Sequence, residues 1–234
     1  MLILAMVVVE LFTSQGCSSC PPADALLAVL DKDPNVLVLS EHVDYWNHLG
    51  WRDPFSSSVY SARQQQYARR FAQDGPYTPQ MVVDGRVQFV GSDARRARAA
   101  IAAAAREPRA VVTVRREGDV VFAEAPALLA GSKAELWVAI LRPEGEAEVA
   151  RGENAGRRLR HVGIVKSLVK GGTVTRDRGA SHRVVVEAGA RVVAFLQEPG
   201  QGAILGAGRE EGLVGDGVLP LSSRWGWVGG DLIF

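Results

Sequence analysis

The chain has 234 residues, a length that allows one large domain or two modest ones and a sizeable core. Its formal net charge is +1, from 27 Lys and Arg residues against 26 Asp and Glu residues, and the sequence lacks a basic tract, which argues against a nucleic-acid partner. A hydrophobic content of 47% with 23% charged residues excludes a disordered or fibrous chain. Because the sequence lacks a run of 18 apolar residues, it predicts no membrane-spanning helix.

The first hundred residues alternate strand and helix patterns, which is typical of an α/β fold. Leu26, Leu27 and Leu30 recur at helical spacing after two prolines, and Asp84-Gly85 between apolar runs predicts a hairpin. Ser92 is the expected N-cap of an Ala-rich helix. In chain order, the predicted elements are a strand at 6–12, a helix at 21–31, a strand at 35–43, an inserted helical excursion over 44–75 with a helix at 58–71, a hairpin at 80–90, and a helix ending near 106.

After Pro108 the periodicity changes to period two, which predicts antiparallel strands. Six runs carry the pattern: RAVVTVRR, VVFAEA, AELWVAIL, HVGIVKSLV, HRVVVEA and ARVVAFL. We therefore expect a first domain over 1–107, an antiparallel β domain over 108–208, and an irregular tail over 209–234 that contains Trp225 and Trp227.

The two cysteines of the chain, Cys17 and Cys20, lie between the first strand and the first helix. A thiolate is the reactive form of cysteine, and the start of a helix stabilises negative charge, so Cys17 is the expected accessible nucleophile. Cys20 is then the resolving thiol. A four-residue ring adds about 2 kcal/mol of stability against about 3 kcal/mol for a fifteen-residue loop, which argues against a purely structural disulfide. Two free buried thiols and an inert disulfide stay open as alternatives.

These residues resemble the thioredoxin superfamily, through the CxxC motif after the first strand, Thr78-Pro79 before a hairpin, and the closing helix, over about Met6 to Arg106. The resemblance implies that Thr78–Pro79 is a cis peptide facing the sulfurs. Longer motifs look like the bacterial domain-of-unknown-function 1223 family, described as thioredoxin-like with an appended sheet domain: ELFTSQGCSSCPPAD, SEHVDYWNHLGWRDPF, YTPQMVVDG and GENAGR. The predicted fold class is therefore an α/β thioredoxin-like domain with a helical insertion, followed by an all-β, sandwich-like C-terminal domain.

Family resemblance also implies export, to the periplasm or beyond the cell, because members commonly carry a signal peptide before the first strand. Residues 1–9 of this chain are apolar but lack a cationic region and a small-residue cleavage site. They therefore read as a strand rather than as a signal peptide.

Two residues are candidates for assisting the sulfurs. Glu10 lies much where thioredoxins place a buried acid, so it is a candidate proton acceptor for Cys20, and the alternative is a strand-end carboxylate paired with an arginine. His42 lies at the end of the second strand, at the edge where open α/β sheets bind ligands, and an imidazolium there would favour a thiolate. The alternative for His42 is a hydrogen-bonded structural histidine. Trp46 and Trp51 are expected to pack within the insertion.

The leading functional hypothesis is a thiol–disulfide oxidoreductase that needs no cofactor and acts on the thiol or disulfide of a protein partner. In it, Cys17 attacks, Cys20 resolves, Thr78 and Pro79 shape the substrate groove, and Glu10 and His42 move protons. One alternative is a copper-delivery module that binds Cu(I) through Cys17, Cys20 and His42, since two thiolates and an imidazole suit that ion. A zinc site would need a further ligand such as His48. The other alternative is a non-enzymatic interaction protein whose CxxC motif is a redox switch. The oligomeric state stays open.

Overall fold

The computed structural model describes residues 6–129, 131 and 133–210. Within these residues the chain forms three α-helices and eleven strands. Their bounds are β1 (Val7–Thr13), α1 (Pro21–Leu30), β2 (Val36–His42), α2 (Ser58–Arg70), β3 (Gln80–Val83), β4 (Val87–Val90), α3 (Ala94–Ala104), β5 (Thr113–Glu117), β6 (Val120–Ala125), β7 (Lys133–Glu148), β8 (Arg158–Thr175), β9 (Ala180–Val185), β10 (Arg191–Gln197) and β11 (Ile204–Arg209).

Eight of the strands form one mixed sheet in the order β11-β10-β7-β8-β2-β1-β3-β4. β1 pairs in parallel with β2 and antiparallel with β3, while β7 and β8 form a long antiparallel pair with irregular register at Leu136/Trp137 and Ile140/Leu141. The remaining strands form a second sheet in the order β5-β6-β9. This small sheet packs over β7 and β10 through apolar side chains such as Val121, Leu136 and Leu196.

The main sheet is covered on both faces where the cysteines lie. Val9 and Leu11 of β1 pack against α1 and α3, whereas Phe12 on the opposite face packs with Tyr67 of α2. Every residue of β1 and β2 is therefore buried, as expected of strands inside a layered structure. The loop that leads from β1 to α1 carries both cysteines.

The predicted fold class is wrong. Strands make up 42% and helices 18% of the structure, and one sheet joins strands from both halves of the chain. A thioredoxin-like α/β domain with a helical insertion, followed by a separate β sandwich, would keep the two sets of strands apart. Instead β8 pairs in parallel with β2 through Ser40 and Ile164 and covers an edge that would otherwise be unpaired. The segment 44–75 also contributes to the core, because Tyr60 and Tyr67 of α2 are buried against the sheet.

Individual elements are predicted more successfully than their assembly. The three long helices, the hairpin and all six period-two runs have counterparts in the structure, although β7 and β8 reach 16 and 18 residues. Asp93 rather than Ser92 caps α3, since its side chain accepts the Arg96 N–H at 2.9 Å. β11 extends to Arg209, within the predicted irregular tail, while Trp225 and Trp227 lie outside the described residues. The predicted boundary near 107 lies between α3 and β5. In the described part of the chain, none of the helices has the length and apolarity needed to cross a membrane.

Candidate functional site

Cys17 and Cys20 form a disulfide in the loop between β1 and α1, with their Cα atoms 5.4 Å apart. A turn holds the loop, because the Cys17 N–H donates to the Ser14 carbonyl and the Cys20 N–H donates to the Cys17 carbonyl, both at 3.2 Å. Both cysteines are 0% exposed, so the expectation of an accessible Cys17 sulfur is wrong for this disulfide form. The intervening Ser18 and Ser19 are exposed and form the outer surface of the loop.

The start of α1 offers less stabilisation to a thiolate than the sequence suggests. Cys20 is itself the N-cap, and Pro21 and Pro22 occupy the first two helical positions, where they have no N–H to donate. The next two N–H groups, of Ala23 and Asp24, both donate to the Cys20 carbonyl. Few helical N–H groups are therefore left to face the Cys17 sulfur.

Thr78 and Pro79 lie close to the disulfide. Their peptide bond is cis, which confirms that expectation. The Ser19 hydroxyl lies 3.3 Å from the Cys17 sulfur and donates to the Thr78 carbonyl at 3.5 Å. Trp46 also reaches this point, since its indole N–H donates to the Thr78 hydroxyl at 2.8 Å. The disulfide, Thr78 and Trp46 thus share one neighbourhood, and Trp46 does more than pack its own segment.

His42 is connected to the cysteine loop through Asp53. One carboxylate oxygen of Asp53 lies 2.7 Å from His42 Nδ1 and also accepts the Gln15 N–H at 2.9 Å. Although burial opposes it, the charge and hydrogen bond of His42 hold the pKa of Asp53 below its usual value. Trp51 supports the same loop by donating to the Gln15 side-chain oxygen at 3.0 Å. The contacts of His42 match the structural alternative, and Asp53 is a site residue that the sequence reasoning did not single out.

A second buried histidine, His161 of β8, lies beside His42 and Asp24. The two imidazole rings are 4.5 Å apart at their centroids, and His161 Nδ1 lies 3.5 Å from an Asp24 oxygen. Four buried polar atoms here have no hydrogen-bond partner within the described residues: His42 Nε2, both His161 nitrogens and Asp24 Oδ1. Buried polar atoms are nearly always bonded, so this group of four unpaired atoms is an exception among the described residues.

The structure does not bring Glu10 to Cys20. Glu10 faces α2, where Arg63 donates to one carboxylate oxygen at 2.6 Å and the Tyr67 hydroxyl donates to the other at 2.5 Å. The α1 helix, which carries Cys20, packs on the opposite face with Val9 and Leu11. The arginine-paired alternative is therefore the one observed. Nearby Glu41 has a pKa well above its usual value, chiefly because it is buried and then because of the negative charge of Glu10.

Two residues from the second half of the chain contact the cysteine loop. The side-chain amide of Asn154, which is fully buried, donates to the carbonyls of Gln15 at 2.9 Å and Cys17 at 2.8 Å. The carboxylate of Glu153 accepts the Ser18 N–H at 2.8 Å. Both lie in the segment GENAGR, one of the motifs on which the resemblance to the family rests, and that resemblance is the one sequence signal that points to this segment.

The copper alternative gains no support from the geometry. In residues 6–129, 131 and 133–210, no three or more His, Cys, Asp or Glu side chains are grouped closely enough to hold a metal ion. His42 Nδ1 faces Asp53, while the sulfurs are joined to each other.

A family model matches most of the chain, and two solved structures are similar to it. Residues 8–197 match the family described as "Protein of unknown function (DUF1223)", and the chain belongs to that family. The X-ray crystal structure of protein AGR_C_4864 from Agrobacterium tumefaciens is similar, with 31% identity and a TM-score of 0.76 over 88% of this chain and 94% of that one. HBP35 of Porphyromonas gingivalis shares the fold at 17% identity and a TM-score of 0.58, over 96% of this chain and 82% of that one. No curated protein matches the chain. These matches do not confirm the resemblance to the wider thioredoxin superfamily.

Proposed function

We propose that this protein exchanges thiols and disulfides with a partner protein through Cys17 and Cys20. The observation that carries the proposal is the Cys17–Cys20 disulfide, which closes a four-residue ring between a buried strand and a helix. A ring of this size adds only about 2 kcal/mol of stability. Stabilisation of the fold is therefore a weak explanation for this disulfide. Reversible thiol–disulfide exchange, in contrast, requires two cysteines this close together.

The proposed exchange begins when a partner thiolate attacks the Cys17 sulfur. The bond from Cys17 to Cys20 breaks, a mixed disulfide forms, and Cys20 leaves as a thiolate that takes up a proton. A second partner thiolate then attacks the partner's own sulfur in the mixed disulfide and releases Cys17. Two electrons have passed from the partner, which is now a disulfide, to the cysteine pair. In the reverse sequence, which reduces a partner, the Cys17 thiolate attacks a partner disulfide and one partner sulfur leaves as a thiolate. Cys20 then loses its proton and attacks the Cys17 sulfur, which re-forms the Cys17–Cys20 disulfide and releases the second partner thiol.

Access to Cys17 requires the exposed loop to move. Ser18 and Ser19 are exposed and cover the sulfurs, and Ser19 is held to the Thr78 carbonyl by a weak 3.5 Å contact. Displacement of Ser19 would expose Cys17 beside Thr78 and Pro79. In the proposal, these two residues form the wall along which a partner segment lies.

Asp24 is the better candidate than Glu10 for the proton acceptor of Cys20. It lies four residues after Cys20 on α1, and helical side chains four apart lie on one face, with the later one directed back over the earlier turn. Its Oδ1 atom has no hydrogen-bond partner among the described residues, and its nearest basic neighbour is His161. Asp24 also borders a surface cavity of about 620 Å³ beside α1, which offers a route for protons to solvent. His42 acts in the proposal by fixing the cysteine loop through Asp53.

The test compares wild type with Cys17→Ser and Cys20→Ser in insulin reduction and in a redox titration. Wild type should turn over insulin with dithiothreitol faster than dithiothreitol alone, and Cys17→Ser should lose that activity. Cys20→Ser should accumulate the mixed disulfide, because the resolving thiol is missing. Equal activity of wild type and Cys17→Ser would refute the proposal, and a reduction potential below about −300 mV would indicate a structural disulfide instead.

A further inference from the structure

The loop between β7 and β8 contacts the cysteine loop. It closes on itself through a 2.7 Å bond from the Gly156 N–H to the Val149 carbonyl, and Gly152 and Gly156 adopt φ values of 82° and 79° that favour glycine. The bend directs Asn154 inward, where its two hydrogen bonds to the Gln15 and Cys17 carbonyls fix the loop against the disulfide. Glu153 is thereby held over the residue that follows Cys17.

The position of Glu153 is electrostatically unusual. Backbone N–H groups next to a nucleophilic cysteine normally stabilise its thiolate. Here the Ser18 N–H is taken by the Glu153 carboxylate, and this hydrogen bond lowers the pKa of Glu153, so the carboxylate is charged at neutral pH. The helix does not compensate, because Pro21 and Pro22 have no N–H groups. A thiolate at Cys17 therefore meets a nearby negative charge and loses one potential donor.

We propose that Glu153 is a positioning residue of the redox site, which holds the Ser18 amide and disfavours the thiolate form of Cys17 relative to the disulfide. This inference rests on the proposed function and adds to it a residue from the other half of the chain. Its consequence is a cysteine pair that is a weaker oxidant than the CxxC motif alone would suggest, since stabilising the reduced form is what makes a disulfide strongly oxidising.

The decisive variant is Glu153→Gln, which removes the charge but keeps an oxygen that can accept the Ser18 N–H. Glu148→Gln is the matched control, because Glu148 is exposed at the end of β7, before the loop that carries Glu153, and the substitution changes the net charge equally. All three proteins also carry Cys20→Ser, so that iodoacetamide reacts with Cys17 alone. The rate of alkylation against pH then gives the acid dissociation constant of the Cys17 thiol.

We expect Glu153→Gln to raise that constant about two- to fivefold, the range for interactions between exposed charges, while Glu148→Gln leaves it unchanged. The difference from wild type should shrink at high salt, because screening weakens the repulsion that the variant lacks. Glu153→Ala, which also frees the Ser18 N–H, should give a larger increase. If the acid dissociation constant of the Cys17 thiol in Glu153→Gln is equal to or lower than that in Glu148→Gln, the inference is overturned.

A second measurement separates this inference from the proposed function. In proteins that retain Cys20, the equilibrium with dithiothreitol transfers two electrons and two protons from its dithiol to the Cys17–Cys20 pair, leaving cyclic oxidised dithiothreitol. At a pH above the Cys17 midpoint, Glu153→Gln should shift this equilibrium toward the reduced protein by about the same factor, and each tenfold corresponds to 29.6 mV. If wild type turns over insulin but Glu153→Gln leaves the dithiothreitol equilibrium unchanged, only the inference is refuted. If Glu153→Gln shifts that equilibrium but wild type does not turn over insulin, only the proposed function is refuted.

Discussion

Replacing Asn154 by alanine tests how strongly the second half of the chain holds the disulfide loop. The substitution removes three side-chain hydrogen bonds: the two that Asn154 donates to the buried Gln15 and Cys17 carbonyls, and the one that it accepts from the exposed Arg157. The Asn154 side chain is 0% exposed. A hydrogen bond contributes about 1 kcal/mol net, and an acceptor left buried and unpaired costs about 1–3 kcal/mol. Water can reach one of the two carbonyls, which then costs about 1 kcal/mol, while the other stays unpaired and costs about 1–3 kcal/mol. We therefore expect the free energy of unfolding to fall by about 2–4 kcal/mol.

Urea unfolding of the oxidised protein, followed by tryptophan fluorescence, measures this loss. Arg157→Ala is the control. Arg157 is exposed and donates to the Asn154 amide oxygen at 2.9 Å, so water can take the place of its guanidinium group and the substitution should cost less than about 0.5 kcal/mol. The disulfide of Asn154→Ala should also be reduced faster by dithiothreitol, since the loop is no longer fixed. If Asn154→Ala unfolds within 0.5 kcal/mol of wild type, the argument that this amide secures the site is incorrect.

Two further predictions concern buried carboxyl groups. The folded-state pKa of Glu41 lies above its ordinary 4.5, so its contribution to stability is complete below pH 4.5 and declines, by up to about 1.4 kcal/mol per pH unit, as the pH rises toward the folded value. Urea midpoints from pH 5 to 8 should therefore fall more in wild type than in Glu41→Gln, and parallel curves would contradict this. Asp24→Asn should slow release of the mixed disulfide at least about tenfold, measured by quenched-flow mass spectrometry, whereas Asp33→Asn should not; equal rates would show that Cys20 loses its proton by another route.

Local sequence patterns predict most elements of this protein because each pattern reports on neighbours along the chain. Period-two runs become strands β5 to β10, and the prolines after Cys20 begin α1. The sheet order is not local in this sense. The strands of the two halves of the chain are joined by the parallel pairing of Ser40 in β2 with Ile164 in β8. Nothing in the sequence around either residue indicates which strand it pairs with.

The assignment of Glu10 shows a similar limit within the site. All seven residues of β1 are buried, so the strand has no alternation of polar and apolar residues from which to infer the face that α1 covers. Glu10 and Val9 are equally compatible with a position beneath Cys20 until the helices are placed. The cysteines themselves were predictable from their spacing and context, whereas Asn154 had to be identified from its contacts.

The distance along the chain between Cys17 and Asn154 matters while the protein is being made. The two residues are 137 positions apart, so at synthesis rates of about 5–20 residues per second the ribosome needs about 7–27 s to add the second after the first. During that interval the cysteine pair is outside the reach of the amide and carboxylate that later surround it. Under the proposed function, an oxidant acting on the nascent chain should therefore react with these two thiols faster than an oxidant acting on the folded, reduced protein.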